Sequence, residues 1–103
     1  MKRVIGGKLF DTDNAERVAD VSPRIYSRND FEYEDTTLYR TKKGAFFLAG
    51  SGGARSRWAQ RVNNGSVGGS GMLPIGLDEA KSLVEEHGEV ALYTRLFGEP
   101  EEA

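Results

Sequence analysis

The sequence predicts an α+β fold: a three- to four-stranded antiparallel sheet with a short N-terminal helix and one or two C-terminal helices on one face. Residues 31–41 alternate between apolar and polar side chains, which is typical of a strand with two different faces. The lysine-lysine-glycine turn at residues 42–44 leads into an apolar stretch at residues 45–49, which indicates a β-hairpin. Beyond residue 76 the apolar side chains recur at helical spacing. Strands that precede helices in this way favour the α+β class.

Further segments complete the predicted sheet. Residues 3–10 form a short first strand interrupted by two glycines, and residues 72–75 form a short closing strand. Residues 55–62 are predicted to continue the hairpin as a third strand. With a period of two, that strand places Trp58 on one face and three arginines on the other, namely Arg55, Arg57 and Arg61. The glycine-rich residues 63–71 are expected to form a mobile loop.

Three helices are predicted from capping residues and apolar spacing. The oxygens of residues 11–13 provide an N-cap for a short helix over residues 13–20. A second helix spans Leu77–His87 and ends at Gly88, because glycine is the usual residue after a helix C-terminus. A third helix spans residues 89–97, with apolar side chains at helical spacing.

Length and composition limit the protein classes to consider. A chain of 103 residues makes one small domain, which we assign to residues 1–98, with a loop at residues 21–30 and a frayed acidic tail at residues 99–103. The chain has no cysteine, which excludes a disulfide framework and any thiolate site. No apolar run is long enough to cross a bilayer, and the first residues lack the apolar segment of a secretory signal. We therefore expect a cytoplasmic protein.

Charge is unevenly distributed along a chain whose formal net charge is −2. Residues 36–63 contain six basic side chains and no acidic one, whereas residues 76–103 contain two basic and eight acidic side chains. We call the six basic side chains the central cations: Arg40, Lys42, Lys43, Arg55, Arg57 and Arg61. Their number, with Trp58 nearby, favours a partner-binding surface.

The central cations have more than one interpretation. They can bind the phosphates of a nucleic acid or the carboxylates of a protein, or they can be solvated side chains partly paired with the acidic helices. Trp58 is expected in the core or between the sheet and the C-terminal helices; an exposed Trp58 would instead be an interface hot spot. The acidic side chains could also imitate nucleic-acid phosphates, but charge runs on helices are more often solvated faces.

The sequence contains no motif that predicts catalysis, a cofactor or a metal site. The glycine-rich residues 50–53 lack the lysine-serine pair and the following helix of a phosphate-binding loop, so we interpret them as a flexible turn or bulge. His87 is the single histidine, and its position at the end of a helix explains it without a functional role. No serine-histidine-aspartate set or zinc-ligand spacing is present. We therefore predict a protein that is not an enzyme and needs no cofactor.

Three stretches resemble a family of short, mostly uncharacterised proteins from bacterial prophages and other mobile elements. The stretches are MKRVIGGKLFDTDNAERVA, RNDFEYEDTTLYRTKKGAFFLAGSGGARSRWAQ and LPIGLDEAKSLVEEHG, and together they cover most of the chain. They match the family patterns GK-aromatic-D-T-x-x-A, LYRTKKGxFFL-x-G-x-GG and P-x-x-x-x-E-A-x-x-x-x-E-x-H. Ser51 and Ala54 stand where the family often has an acidic residue and a proline. The resemblance provides no catalytic residues.

Small proteins of this origin include anti-CRISPR inhibitors, so the resemblance implies an anti-defence role. The expectation is a non-enzymatic inhibitor that binds a host protein or ribonucleoprotein, with a CRISPR effector nuclease suspected, and blocks nucleic-acid binding or cleavage. The alternative is a small regulator that binds DNA or RNA with the same cations. Either protein could be a monomer or a homodimer, and neither needs a membrane.

Overall fold

The computed structural model describes residues 1–23 and 30–103. The strands are β1 (Lys2–Ile5), β2 (Lys8–Asp11), β3 (Glu16–Asp20), β4 (Glu34–Arg40), β5 (Phe46–Gly52), β6 (Gln60–Val62), β7 (Gly65–Val67) and β8 (Gly69–Ile75). Two helices follow, α1 (Leu77–His87) and α2 (Val90–Phe97). This order of antiparallel strands followed by C-terminal helices confirms the α+β class.

The central element is a four-stranded antiparallel sheet with the order β3-β4-β5-β8. The predicted hairpin is confirmed: β4 and β5 pair from Arg40–Phe46 to Glu34–Gly52 without a shift, and a tight turn at residues 42–44 joins them. The closing strand is also confirmed, and it begins at Gly69 rather than at residue 72. Two separate hairpins, β1-β2 and β6-β7, complete the strands of the described ranges.

The C-terminal helices cover one face of the four-stranded sheet, which we call the helical face. Leu38 and Leu48, a cross-strand pair, belong to the same buried cluster as Ala80 and Val84 of α1. Side chains of α2 add partly buried apolar area to this cluster, including Phe97, whose ring lies 5.7 Å from that of Phe46. The two helices therefore bury the apolar stripe that their sequence spacing predicts.

The β1-β2 hairpin covers the opposite face, which we call the hairpin face. Phe10 of β2 is buried against Phe47 of β5, with ring centroids 5.3 Å apart in an edge-to-face arrangement. Ala49 and Met72 belong to the same cluster, and the Tyr39 ring stacks on Phe47. Residues on successive positions of β5 point to opposite faces, so this apolar strand contributes to two cores. The continuous apolar run at residues 46–49 is explained by burial on both sides.

The predicted helix over residues 13–20 is wrong, because these residues form a turn and then β3. The Asp11 carboxylate accepts hydrogen bonds from the backbone N–H of Asp13 and the side-chain amide of Asn14, so its capping capacity closes a turn instead. The residues that follow pair with β4 and place Val18 and Ala19 against the helical-face core. A helix of this length gains little by itself, so tertiary pairing decides the structure.

The predicted mobile loop over residues 63–71 is also wrong. These residues contain the turn of the β6-β7 hairpin, all of β7 and the first three residues of β8. Likewise, the glycine-rich residues 50–53 do not end β5, which continues through Gly52. Cross-strand glycine pairs are the reason for this composition, since Gly50 lies opposite Gly71 and Gly52 lies opposite Gly69.

The C-terminal half agrees closely with the sequence prediction. Helix α1 has the predicted bounds, and α2 begins at Val90, one residue after the predicted start. Residues 98–103 are exposed and have no regular secondary structure. The predicted loop at residues 21–30 falls mainly on residues 24–29, which lie outside the described residues.

Candidate functional site

The third predicted strand, residues 55–62, is mostly a series of turns. Only Gln60–Val62 is extended, and it pairs with β7 rather than with the main sheet. Arg55 and Arg57 lie in turns that return the chain over the sheet. The expected row of arginines opposite Trp58 is therefore not present.

The central cations are divided between the two ends of the four-stranded sheet. Lys42 and Lys43 form the β4-β5 turn beside Arg40, whereas the segment with Arg55 and Arg57 begins beyond the other end of the same ladder, at Gly52. The β4-β5 ladder between these two ends contains seven consecutive residue pairs. At ~3.3 Å per residue, its length is about 20 Å. This exceeds the Debye length of about 8 Å at physiological salt, so the two groups do not share one continuous positive potential.

Arg40 is held by an acidic residue that the sequence does not place near it. Its guanidinium donates a hydrogen bond to Glu16 Oε1 at 3.0 Å, and Glu16 Oε2 lies 2.6 Å from Arg95 of α2. One carboxylate therefore joins β3, β4 and α2. Arg40 serves this internal contact and is not free to meet a partner.

Arg57 belongs to a buried network below the surface. Its backbone N–H donates a hydrogen bond to Glu34 Oε1, and its Nε lies 3.2 Å from Glu34 Oε2. The Glu34 side chain is only 6% exposed. Thr36 donates its hydroxyl proton to the same carboxylate at 2.7 Å and accepts a hydrogen bond from the Trp58 indole N–H at 2.9 Å. The side-chain polar groups of Glu34, Thr36 and Trp58 in this network all have partners, which is the condition for burying them.

Trp58 is a core residue, 8% exposed, so the hot-spot interpretation is wrong for this structure. Its ring lies on the helical face above the paired glycines of β5 and β8. A Cβ at Gly71 would come within 3.0 Å of the Trp58 ring carbon Cε3, and a Cβ at Gly50 would crowd Nε1 at 2.9 Å. The indole therefore requires glycine at position 71, and the indole together with the backbone carbonyl of Asp35 requires it at position 50. This packing excludes both a phosphate-binding loop and a flexible turn at residues 50–53.

Three lysines converge at the other end of the sheet. Lys8 of the β1-β2 hairpin and the turn residues Lys42 and Lys43 line an open groove of about 690 Å³. We call it the lysine groove. Its one acidic lining residue, Asp11, is buried and already bound by Asn14 and Lys2. Within residues 1–23 and 30–103, none of the three lysines forms an ion pair.

The remaining central cations lie on the opposite end as isolated exposed side chains. Arg55 lies over the exposed ring of Phe31, 6.0 Å from its centroid. Arg61 is exposed on the β6-β7 hairpin beside Val62, and no ion pair holds it within the described chain. Neither side chain lines the lysine groove.

Sequence reasoning missed three residues that define this geometry. Lys8 lies far from the central cations in sequence, and only the packing of Phe10 on the hairpin face brings it to the turn lysines. Glu16 and Glu34 pair with arginines 24 and 23 residues further along the chain. The alternation of residues 31–41 does place Glu34 on the same face as Thr36, which is the one signal for the buried network.

The described residues contain no group of three or more histidine, aspartate or glutamate side chains that could hold a metal ion. His87 lies 3.7 Å from the neighbouring Glu86 carboxylate. No helix in the described parts of the chain is both long and apolar enough to span a membrane.

Comparison with known proteins provides no relative. No protein-family model matches the chain, and neither a curated protein nor a solved structure matches it. The candidate site therefore rests on the geometry of this chain.

Proposed function

We propose that this chain is a non-enzymatic inhibitor from a mobile element that acts in the bacterial cytoplasm against a host defence complex. The proposed target is a CRISPR effector nuclease, and the mode of action is occupancy of a surface that nucleic acid needs. The lysine groove is the proposed contact site. The observation that supports the proposal is that Lys8, Lys42 and Lys43 line one concave surface and form no ion pair with any residue of 1–23 or 30–103.

Physical chemistry favours this groove over the arginine end. An unpaired ammonium group keeps its full charge for a partner, whereas Arg40 and Arg57 would have to leave Glu16 and Glu34 first. The resemblance to mobile-element proteins supports the class of target. The acidic C-terminal part of the chain supports a protein partner over bare nucleic acid, because eight carboxylates in residues 76–103 repel phosphate.

The first experiment measures inhibition with charge-matched variants. Wild-type protein is mixed with purified CRISPR effector nucleases, and both co-purification and target cleavage are measured. We expect K42E/K43E to lose binding and inhibition, and R55E/R61E, which changes the net charge by the same amount, to retain both. Failure of the wild-type protein to bind any effector or reduce cleavage contradicts the inhibitor function. Equal loss in both variants contradicts the lysine groove as its site.

A second experiment separates this function from nucleic-acid binding by the chain alone. Three lysines can neutralise at most three phosphates, so binding to duplex DNA through the lysine groove should show a log–log salt slope no steeper than about −2.7. We expect no specific shift of DNA or RNA in a gel assay at physiological salt. A tight, salt-sensitive complex with nucleic acid alone would support the regulator instead.

A further inference from the structure

Strand β8 forms an unprotected edge of the four-stranded sheet. The other edge strand, β3, is short, contains a bulge between Arg17 and Ala19, and carries charged side chains, all of which discourage pairing with another chain. By contrast, β8 keeps one register over seven residues and has no charged side chain. One edge thus has the usual defences against strand addition, and the other has only Pro74.

The hydrogen bonds of the neighbouring strands show which backbone groups of β8 point outward. Gly53 N–H donates to Tyr33 O, and Thr41 N–H donates to Ala45 O, so the odd-numbered residues of β5 face β4. The even-numbered residues of β5 therefore face β8 and bond its residues 69, 71, 73 and 75. The outward-facing residues of β8 are the other three, Ser70, Met72 and Pro74. Proline fits here because its missing N–H would point away from the sheet.

Ser70 and Met72 present backbone groups without a partner. No hydrogen bond to the outward N–H or C=O of either residue is made within residues 1–23 and 30–103. Met72 is only 6% exposed, because its side chain belongs to the hairpin-face core, so water has limited access to this residue. An unpaired backbone group with restricted access to water favours a further hydrogen-bonding strand.

We propose that the occupant of this edge is a second copy of the chain, paired antiparallel through β8 about a two-fold axis at Gly71. This register places Ser70 of each copy opposite Met72 of the other, and each such pair exchanges two hydrogen bonds. Pro74 then lies opposite Gly68, beyond the bonded pairs. An axis at Met72 would instead place Pro74 opposite Ser70 and leave one acceptor per pair unsatisfied.

The side chains agree with this register. On the helical face it sets Leu73, which is 46% exposed in the single chain, opposite Gly69 of the second copy, where its neighbour is the flexible side chain of Gln60. No charged residue of β8 meets its own copy, so the repulsion that opposes symmetric pairing of charged strands is absent. A symmetric contact of this type closes at two copies and leaves both lysine grooves outside the paired strands.

The chain contains no cysteine, so S70C provides one specific site for a spin label. Sedimentation equilibrium over micromolar to millimolar protein should show a species of twice the chain mass. The two Ser70 positions would be about 8 Å apart, from two residues of strand rise and one strand spacing. We therefore expect strong dipolar broadening that rises with the dimer fraction. A label at Ser82, on the exposed side of α1, should show none.

Variants at the same position test the hydrogen bonds. S70P removes an outward N–H but no bond to β5, and we expect its dissociation constant to rise at least tenfold. S70A keeps the N–H and should dimerise as the wild type does. Circular dichroism confirms that each variant is folded. A chain that stays monomeric at millimolar concentration overturns the proposal, as does a dimer without broadening at residue 70. If S70P fails to fold, the labelled S70C protein decides the outcome alone.

Discussion

Thr36 is a small residue with an unusually large part in this fold. Its hydroxyl connects the Trp58 indole to the Glu34 carboxylate, and all three groups are buried. T36V keeps the shape but leaves the indole N–H without an acceptor, so we expect a loss of about 2–3 kcal/mol in the free energy of unfolding. Urea denaturation followed by Trp58 fluorescence measures it.

The neighbouring residue provides a matched control. Thr37 is also buried on β4, but it faces the hairpin side and its hydroxyl makes no hydrogen bond within the described chain. T37V should therefore change the unfolding free energy by less than about 0.5 kcal/mol. Equal losses in the two variants would show that the Thr36 hydroxyl has no special role.

Arg57 is predicted to be a stabilising residue rather than an exchangeable surface charge. R57E would place a second carboxylate beside the buried Glu34. R61E, by contrast, changes an exposed side chain that has no ion pair within the described chain. Because Arg57 is itself partly solvated, we expect R57E to cost about 1–3 kcal/mol of unfolding free energy and R61E less than about 0.5. Thermal unfolding of the two proteins compares them, and similar midpoints would contradict the network.

The sequence could identify Trp58 as a core residue and could not identify what its environment requires. Tryptophan buries a large area, which is enough to predict its location. The need for glycine at position 71 follows from the ring lying directly on the sheet, and at position 50 the Asp35 carbonyl of β4 adds to it. Composition alone therefore suggested flexible segments where the indole in fact packs closely on the backbone.

At the scale of elements, Glu16 connects the first sheet edge to the last helix. It accepts from Arg40 of β4 and Arg95 of α2, and all three side chains are partly exposed. We expect E16Q to lower the unfolding free energy by about 0.5–1 kcal/mol, a value reduced by solvent screening. E85Q, on the exposed side of α1 and without an ion pair in the described chain, is the control and should have no effect.

The same contact predicts a specific pH dependence. The hydrogen bond from Arg95 is the main cause that lowers the pKa of Glu16 below its ordinary value of 4.5. A carboxyl whose pKa is lower in the folded state stabilises the fold fully above pH 4.5, and this contribution is lost as the pH falls through the folded-state pKa. Wild type and E16Q should therefore converge in stability at acidic pH. The hydrogen bond from the Ser22 hydroxyl lowers the pKa of Asp20. Both proteins should therefore still lose some stability at acidic pH when Asp20 becomes protonated.

Elements were predictable where local pattern and tertiary contacts agree. Helix α1 has an apolar stripe and a terminating glycine, and its bounds follow from the sequence alone. The β4-β5 hairpin is another such case, because its turn requires Gly44 at a φ of 89°. Strand β3 was not predictable, since the aspartates and asparagine of the preceding residues 11–14 support a helix cap and a turn equally well. Only the pairing with β4 and the Glu16 contacts decide between them.

At the scale of the molecule, the two cores share one sheet. Phe10, 5% exposed, belongs to the hairpin-face cluster, while Trp58 reports on the helical face. If the fold is a single cooperative unit, F10A should shift the unfolding midpoint by the same amount whether Trp58 fluorescence or circular dichroism is measured. The expected loss of unfolding free energy is about 3–5 kcal/mol. L9A, at an exposed neighbour in the same strand, should cost less than about 0.5. Separate midpoints would show that the hairpin melts alone.

Coverage of the four-stranded sheet from both sides has a consequence for how other macromolecules can approach. Its broad surfaces are occupied by the protein's own helices and N-terminal hairpin, so only the perimeter remains accessible. The lysine groove opens at that perimeter, beside the exposed β4-β5 turn of Lys42-Lys43-Gly44. The architecture is therefore better suited to receiving a narrow feature of a partner at its edge than to docking broadside.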